Sequence, residues 1–344
     1  YIRRQRQMCI RDSDIILLCF YFTERAGAMI LQTGQRTDIP AFYGQWLINR
    51  IREGFVDVRN PYNPLQVPLQ VTRYPINQEV VDGIAFCTKN PLPFIPLLNE
   101  IVDYRQYWHM TITPYGTDIE PYVPTYVSVI EGFKHISKQL NSQSMVWRYD
   151  PIILTNEYTV DFHCESFYKM AQALKGYTDT VVVSFLDILD KVAQNFPEGY
   201  RPSLDVQTKI IKEFVSIAHS NHMNLKTCGE GDIFKELGAY TEGCLTLDCY
   251  ERAWNIKLKV PKRAPARPEC NCYLHSDIGA YDSCSHFCRY CYANTNQAAV
   301  RYNRLHHYPN SSLLIGKLSK REIIKESTEK SWIVKETVTQ DSLF

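Results

Sequence analysis

Cys284-Ser-His-Phe-Cys288-Arg-Tyr-Cys291 places three thiols at C-x3-C-x2-C spacing. Three thiolates so spaced wrap three corners of a 4Fe–4S cube from one short loop and leave the fourth iron open. An open iron takes the amino and carboxylate groups of S-adenosylmethionine. A reduced cluster then passes one electron to the sulfonium, giving methionine and a 5′-deoxyadenosyl radical. Tyr290, just before the third cysteine, is placed to lie against such a cofactor, and Asp277, upstream of the loop, is a second expected cofactor contact. Two other chemistries use the same residues. A fourth cysteine would close the cluster, or zinc would take Cys270, Cys272, Cys288 and Cys291. His275 and His286 are expected beside the metal rather than on it.

A second group is more scattered. Cys228 ends a candidate strand, Cys244 follows in a short loop, and Cys270 with Cys272 forms C-x-C. Brought together, these four would hold a structural zinc or a second cluster without using the three-cysteine loop. Cys87 and Cys164 sit in apolar surroundings and are expected as small buried thiols. His109, His135, His163, His219 and His222 share no spacing and are expected at the surface or in packing.

The charged residues that could hold a substrate lie where candidate strands finish: Arg36 with Asp38, Lys89, Arg148 with Asp150, and Glu230. Arg36, Lys89 and Arg148 suit a carboxylate or phosphate, so the expected partner is a small polar or anionic molecule. Asp38, Asp150 and Glu230 would orient those cations or move protons. The competing expectation is an ion-pair network that only closes the top of the fold.

The elements that must position these groups follow from hydrophobic pattern. Met29–Thr33, Gly83–Cys87, Trp108–Thr113, Ser144–Trp147, Thr180–Phe185 and Asn224–Cys228 are nearly continuous apolar or β-branched runs, as strands buried on both faces require. Phe55–Val58 and Ser276–Tyr281 are weaker candidates. Helical stripes lie between: Val127, Ile130, Phe133, Ile136 and Leu140; Phe162, Tyr168, Met170, Ala173 and Leu174; Val206, Ile210, Phe214 and Ile217. Repeated strand–helix alternation predicts an α/β fold, and the count favours a TIM-type (β/α) barrel over residues 29–256. A Cys-rich segment, 257–316, packs on it. The run from Lys257 to Arg267 is a charged, proline-bearing linker, and 317–344 is a polar tail with a peripheral helix. The doubled Pro64-Leu65-Gln66-Val67 and Pro68-Leu69-Gln70-Val71 is a local loop duplication.

Composition bounds the rest. The chain has 344 residues, 45% hydrophobic, with a net charge of +1. Such a balance lacks the basic field that nucleic-acid or anionic-membrane binding uses. No apolar run reaches the ~20 residues of a spanning helix. Twelve cysteines with five between Cys270 and Cys291 point to metal rather than disulfides, and so to the cytoplasm. Tyr1–Ser13, YIRRQRQMCIRDS, resembles translated sequencing-adapter sequence, and residues 1–28 are expected to lie outside the fold. No Walker loop, nucleophile elbow or dinucleotide fingerprint is present.

From Met29 to Gly316 the chain resembles a mostly prokaryotic family of domains of unknown function. The resemblance rests on R-T-D-I-P-A-F-Y at Arg36–Tyr43, R-N-P-Y-N-P at Arg59–Pro64, T-K-N-P at Thr88–Pro91, W-R-Y-D-P-I at Trp147–Ile152, S-F-L-D at Ser184–Asp187 and T-C-G-E at Thr227–Glu230. It continues through C-N-C at Cys270–Cys272, S-D-I-G-A-Y-D-S-C at Ser276–Cys284 and C-R-Y-C-Y-A at Cys288–Ala293. The family's C-terminal cysteines are similar to the cluster loop of radical SAM enzymes. That implies a 4Fe–4S enzyme, with an electron donor such as a ferredoxin or flavodoxin. In radical SAM enzymes the loop follows the first barrel strand. Its position near the C-terminus here implies a circular permutation, with Ser276–Tyr281 as the cluster-bearing strand. Their glycine–glycine–glutamate segment has no counterpart in Met29–Asp38, and Cys228-Gly229-Glu230 is a faint echo.

Overall fold

A computed structural model describes residues 29–59, 70–260, 270, 272–273 and 276–334. The leader, most of the duplicated loop, most of the proline-bearing linker and His275 lie outside the described residues. Six strands form one parallel sheet: β1 (Met29–Gln32), β4 (Val81–Thr88), β5 (Gln106–Thr111), β6 (Met145–Ile152), β7 (Thr180–Phe185) and β8 (Asn224–Thr227), hydrogen-bonded in that order. A second sheet joins β2 (Phe55–Arg59), β3 (Gln70–Pro75) and β9 (Ile323–Glu326).

The sheet is sandwiched between two different layers. On one face Leu31, Phe86, Trp108, Trp147, Tyr149 and Val183 meet the helices α2 (Gly44–Glu53), α3 (Tyr126–Gln139), α4 (Val160–Leu174) and α6 (Leu204–Ser220). Trp147, Phe167 and Phe214 stack there in sequence, with ring centroids 4.7 and 3.9 Å apart. The stripe of α4 runs through His163, Phe167, Met170 and Leu174. Tyr168, expected in that stripe, is exposed. Thr159 caps α4 by accepting from the Phe162 amide at 3.2 Å, as an N-cap threonine does.

On the other face, Ile30, Ala85, Tyr107, Val146 and Val182 pack against Cys249, Tyr250 and Ala253 of α7 (Leu247–Trp254). Gly83 lets this cover sit close: a Cβ there would come within 2.2 Å of the Trp254 ring. Because side chains alternate along a strand, the same face carries Gln32, Cys87, His109, Arg148 and Lys226.

The expected closed barrel is not formed. β1 and β8 do not pair, and the six-stranded sheet is open. Two strands that a barrel would need are diverted: β2 pairs antiparallel with β3, which in turn takes β9 in parallel. The free edge of β8 receives a parallel bridge from Tyr240, and that of β1 a parallel bridge between Gln32 and Asp277. Ser276–Tyr281 is therefore a bridge rather than a full strand. The tail also differs from expectation. In place of a helix it supplies β9, and then Ser331 and the Trp332 amide donate to Asp82 at 2.6 and 3.1 Å. Among the described residues, no helix is long and apolar enough to cross a membrane.

Candidate functional site

The three-cysteine loop departs from the edge of β1. The Gln32 amide donates to the Ser276 carbonyl at 3.2 Å and the Ile278 amide to the Gln32 carbonyl at 3.0 Å, so this segment runs beside β1 in its direction. The chain that follows emerges at the C-terminal ends of the strands. Gly34 makes the adjoining turn possible, because a Cβ there would lie 2.2 Å from the Cys87 carbonyl oxygen. Arg36 fixes the base of the loop, binding the Asp277 carboxylate and also its carbonyl oxygen.

Asp38 is the loop's second anchor. Its carboxylate caps α1 (Ile39–Phe42) by accepting from the Ala41 amide at 3.0 Å. It also accepts from the Lys89 amide at 2.8 Å and lies 2.9 Å from His286 Nε2. Further ties come from Tyr43, whose hydroxyl donates to the Ser283 carbonyl at 2.7 Å, and from Asn294 Nδ2 to the Cys284 carbonyl at 2.8 Å. Ser276, Asp282 and Phe287 adopt left-handed backbone, with φ of 43°, 54° and 54°. Such conformations in non-glycine residues concentrate where a structure is held for function.

Cys284, Cys288 and Cys291 lie within one another's electrostatic reach. Burial, then Asp38 and the other two cysteines, pushes the Cys284 thiol well up. Burial and then Glu120 raises Cys288 against the pull of Lys89, and burial raises Cys291 against backbone amides and Lys191. Beside Cys288, Lys89 donates to Glu120 at 2.8 Å and Tyr290 donates to the same carboxylate. Thr113 donates to Glu120 as well, at 2.8 Å. Lys89 Nζ stands 5.5 Å from the Tyr290 ring centre, within cation–π range. Burial disfavours the Lys89 charge, but Glu120 and Cys288 outweigh it and hold the ammonium above its ordinary range.

The second group of cysteines also comes together. Cys244 Sγ is 3.6 Å from Cys228 Sγ and 3.3 Å from Cys272 Sγ, and Cys270 hydrogen-bonds Cys272. The bond from Cys272 draws the Cys270 thiol down to about 7. Cys272 is pushed up to about 11: the bond with Cys244 favours its thiolate, but Cys270 and burial outweigh that. Cys228, Cys244, Cys270 and Cys272 interact with one another and with Arg148, Asp150 and the Leu245 amide, whereas Cys284, Cys288 and Cys291 face Asp38, Lys89 and Glu120. The mixed zinc set of Cys270, Cys272, Cys288 and Cys291 is thus split between two places. Among the described residues, no three His, Cys, Asp or Glu side chains already surround a common ion position.

The remaining expected residues are engaged. Arg148 binds Asp150, stands 3.3 Å from Cys244 Sγ and 3.4 Å from His109 Nδ1. Burial opposes its charge, but Asp150 and the Cys244 and Cys228 thiols raise its pKa well above the usual value. Asp150 also accepts from Ser184. Glu230 accepts from the Phe185 amide at 2.9 Å and from Arg201, so it braces the end of β7 and does not reach the cysteine loop. Arg36, Lys89 and Arg148 are each met by a carboxylate.

Sequence reasoning missed Glu120, which joins Lys89, Thr113 and Tyr290, because no pattern surrounds it. His286 and His109 stand where the residue types suggested, beside the loop and in packing, but their partners carry no sequence signal. His286 ties the loop to Asp38. His109 is fully buried on the α7 face, and its Nε2 meets no partner among the described residues. Two open surface hollows lie elsewhere, one before β8 lined by His219, His222 and Met223, and one at the start of β4 lined by Gln78, Val81, Asp103 and Arg105. Comparison with curated proteins gives no match. Residues 30–293, which contain both groups of cysteines, match the family model described as Domain of unknown function (DUF1848), and the chain belongs to that family.

Proposed function

We propose that this protein is a radical SAM-like iron–sulfur enzyme that acts on a small polar or anionic substrate, with Cys284, Cys288 and Cys291 holding a 4Fe–4S cluster. One observation carries this reading: the cysteine loop leaves a segment running parallel beside β1 and so opens over the C-terminal strand ends. Parallel α/β enzymes assemble their sites there. The donor set suits the group, being three half-buried thiols in one short loop, each within electrostatic reach of the others. When bound, such a cluster supplies one-electron reduction of S-adenosylmethionine.

The chain's own residues then have distinct tasks. Lys89, with Glu120 and Tyr290, forms the polar wall beside Cys288 and is the group to meet a negative end of a bound molecule. Arg36 and Asp277 hold the loop's base, and Asp38 with His286 holds its middle. The parallel strand order, with the long helices on one face, only α7 on the other and a cysteine-bearing edge beside β1, suits a permuted (β/α) barrel left open. A ferredoxin or flavodoxin is the proposed electron donor, and free thiols suit the cytoplasm.

The test is anaerobic reconstitution with iron and sulfide, followed by reduction in the presence of S-adenosylmethionine. Brown protein that yields 5′-deoxyadenosine, with both properties lost in Cys284→Ala, Cys288→Ala and Cys291→Ala, supports the reading. Lys89→Ala should keep the cluster absorbance and lower turnover. Zinc on the loop cysteines, or an intact cluster that never cleaves the cofactor, overturns it. A second reading, a non-catalytic protein with a structural zinc or closed cluster, draws on the pairing of Arg36, Lys89 and Arg148 with carboxylates.

A further inference from the structure

We infer that Cys228, Cys244, Cys270 and Cys272 form a separate site for a single zinc-class cation, which clasps the Cys-rich segment to the end of the sheet. The inference does not depend on what the Cys284–Cys291 loop binds. Its first support is spacing. A tetrahedral zinc with Zn–S near 2.3 Å separates its sulfurs by about 3.8 Å, the edge of that tetrahedron. The observed separations, 3.6 Å for Cys228–Cys244 and 3.3 Å for Cys244–Cys272, are close to that edge. A four-iron cube puts each thiolate on a different iron and spreads the sulfurs around a much larger body. Contact-range sulfurs suit one ion and not a second cluster.

The second support is what surrounds the sulfurs. Four thiolates around a divalent ion leave two negative charges, which a buried site must offset. Arg148 Nη1 lies 3.3 Å from Cys244 Sγ, and the Leu245 amide donates to Cys272 Sγ at 3.4 Å. Both are N–H donors to sulfur, the partners that steady metal-bound thiolates. Cys244 and Cys270 are almost wholly buried.

The third support is topology. The four cysteines come from three places: the residue after β8, the turn before α7, and the C-x-C that precedes the β1 edge segment. The Tyr273 amide donates to the Leu245 carbonyl at 2.7 Å, so two of these stretches already lie side by side. One ion would fix all three. Among the described residues, no three metal-binding side chains yet surround a common point. Loss of the thiol protons on metal binding would replace the present S–H···S contacts with bonds to the ion.

The test begins with the whole protein as purified without added metal. Elemental analysis should find one zinc per chain, and zinc-edge X-ray absorption should report four sulfur neighbours near 2.3 Å. Neither measurement needs a variant. Cys244→Ser and Cys272→Ser should then lose the zinc while keeping the iron and sulfide that reconstitution places elsewhere. Cys249→Ser, next to the group but outside it, should keep the zinc. Absence of zinc from the wild-type chain, a sulfur count below four, or a Cys244–Cys272 disulfide in anaerobically prepared protein overturns the site. Loss of the zinc in Cys284→Ser but not in Cys272→Ser does so too. Failure to cleave S-adenosylmethionine leaves the zinc count unaffected, so the two proposals fail separately.

Discussion

Asp38 and His286, 248 residues apart in the chain, meet at 2.9 Å between Oδ2 and Nε2, and the same carboxylate caps α1. The helix that follows β1 and the middle of the cysteine loop therefore share one anionic bracket. Asp38→Ala removes an N-cap, worth about 0.5–2 kcal/mol, and also leaves the buried His286 without that partner. The expected result is a urea midpoint lowered by the equivalent of about 1–3 kcal/mol, together with weaker iron retention. Asp38→Ala that matches the wild type in both would remove Asp38 from this role.

His163 makes stability depend on pH. It is wholly buried, the Tyr149 hydroxyl donates to its Nδ1 at 2.6 Å, and its Nε2 donates to the Ile153 carbonyl at 2.7 Å. Burial lowers its pKa to about 4 from the ordinary 6.5. In the unfolded chain the imidazole takes up a proton near pH 6.5, whereas the folded protein resists it until about pH 4. The stabilisation is therefore full above pH ~6.5 and is lost as pH falls toward 4, by about 3 kcal/mol in all. Denaturant titrations at neutral pH and at pH ~5 should show this loss in the wild type and a much smaller one in His163→Gln.

The stacked rings of the helix-covered face test packing without touching either group of cysteines. Phe167 lies between Trp147 and Phe214 and is fully buried. Phe167→Ala should cost about 3–5 kcal/mol, read from chemical denaturation, because the gap it leaves cannot collapse between two stacked rings. Zinc and iron contents of the folded fraction should be unchanged.

Gly34 offers a backbone test. A methyl group there would meet the Cys87 carbonyl at 2.2 Å, and that oxygen belongs to a strand with no freedom to retreat. Gly34→Ala is expected to lower stability by about 1–3 kcal/mol or more, as overpacking does. A melting temperature equal to that of the wild type would show that the turn is looser than this contact implies.

The parallel sheet was legible because its strands are buried on both sides. Val181, Val182 and Val183 leave no polar alternation, and their β-branching in so short a run favours a strand over a buried helix. The edges were not legible. Nothing in Gln70–Pro75 or Ile323–Glu326 announces that the two will pair across most of the chain, since both are short and partly or fully open to solvent. Closure of a barrel depends on such long-range pairings, so counting strands overestimated it. The cysteines behaved differently. The compact spacing of Cys284, Cys288 and Cys291 needs no fold to be seen, and the expectation that Cys228 and Cys244 join the C-x-C pair matches the sulfur contacts. Glu120 and His109 carry no local pattern, and only the folded chain brings them to Lys89 and Arg148.

The bridge between Gln32 and Asp277 also bears on how the protein is made. β1 leaves the ribosome long before its outer neighbour: the backbone that bridges its outer edge is translated some 245 residues later. Throughout that interval the nascent sheet presents an unpaired strand, the kind of surface on which chains stick to one another. The cysteine segment that finally covers it is also the one proposed above to bind metal. Cells short of that metal would then be expected to lose this protein to aggregation during synthesis, before any deficit of activity in the finished molecule could be felt.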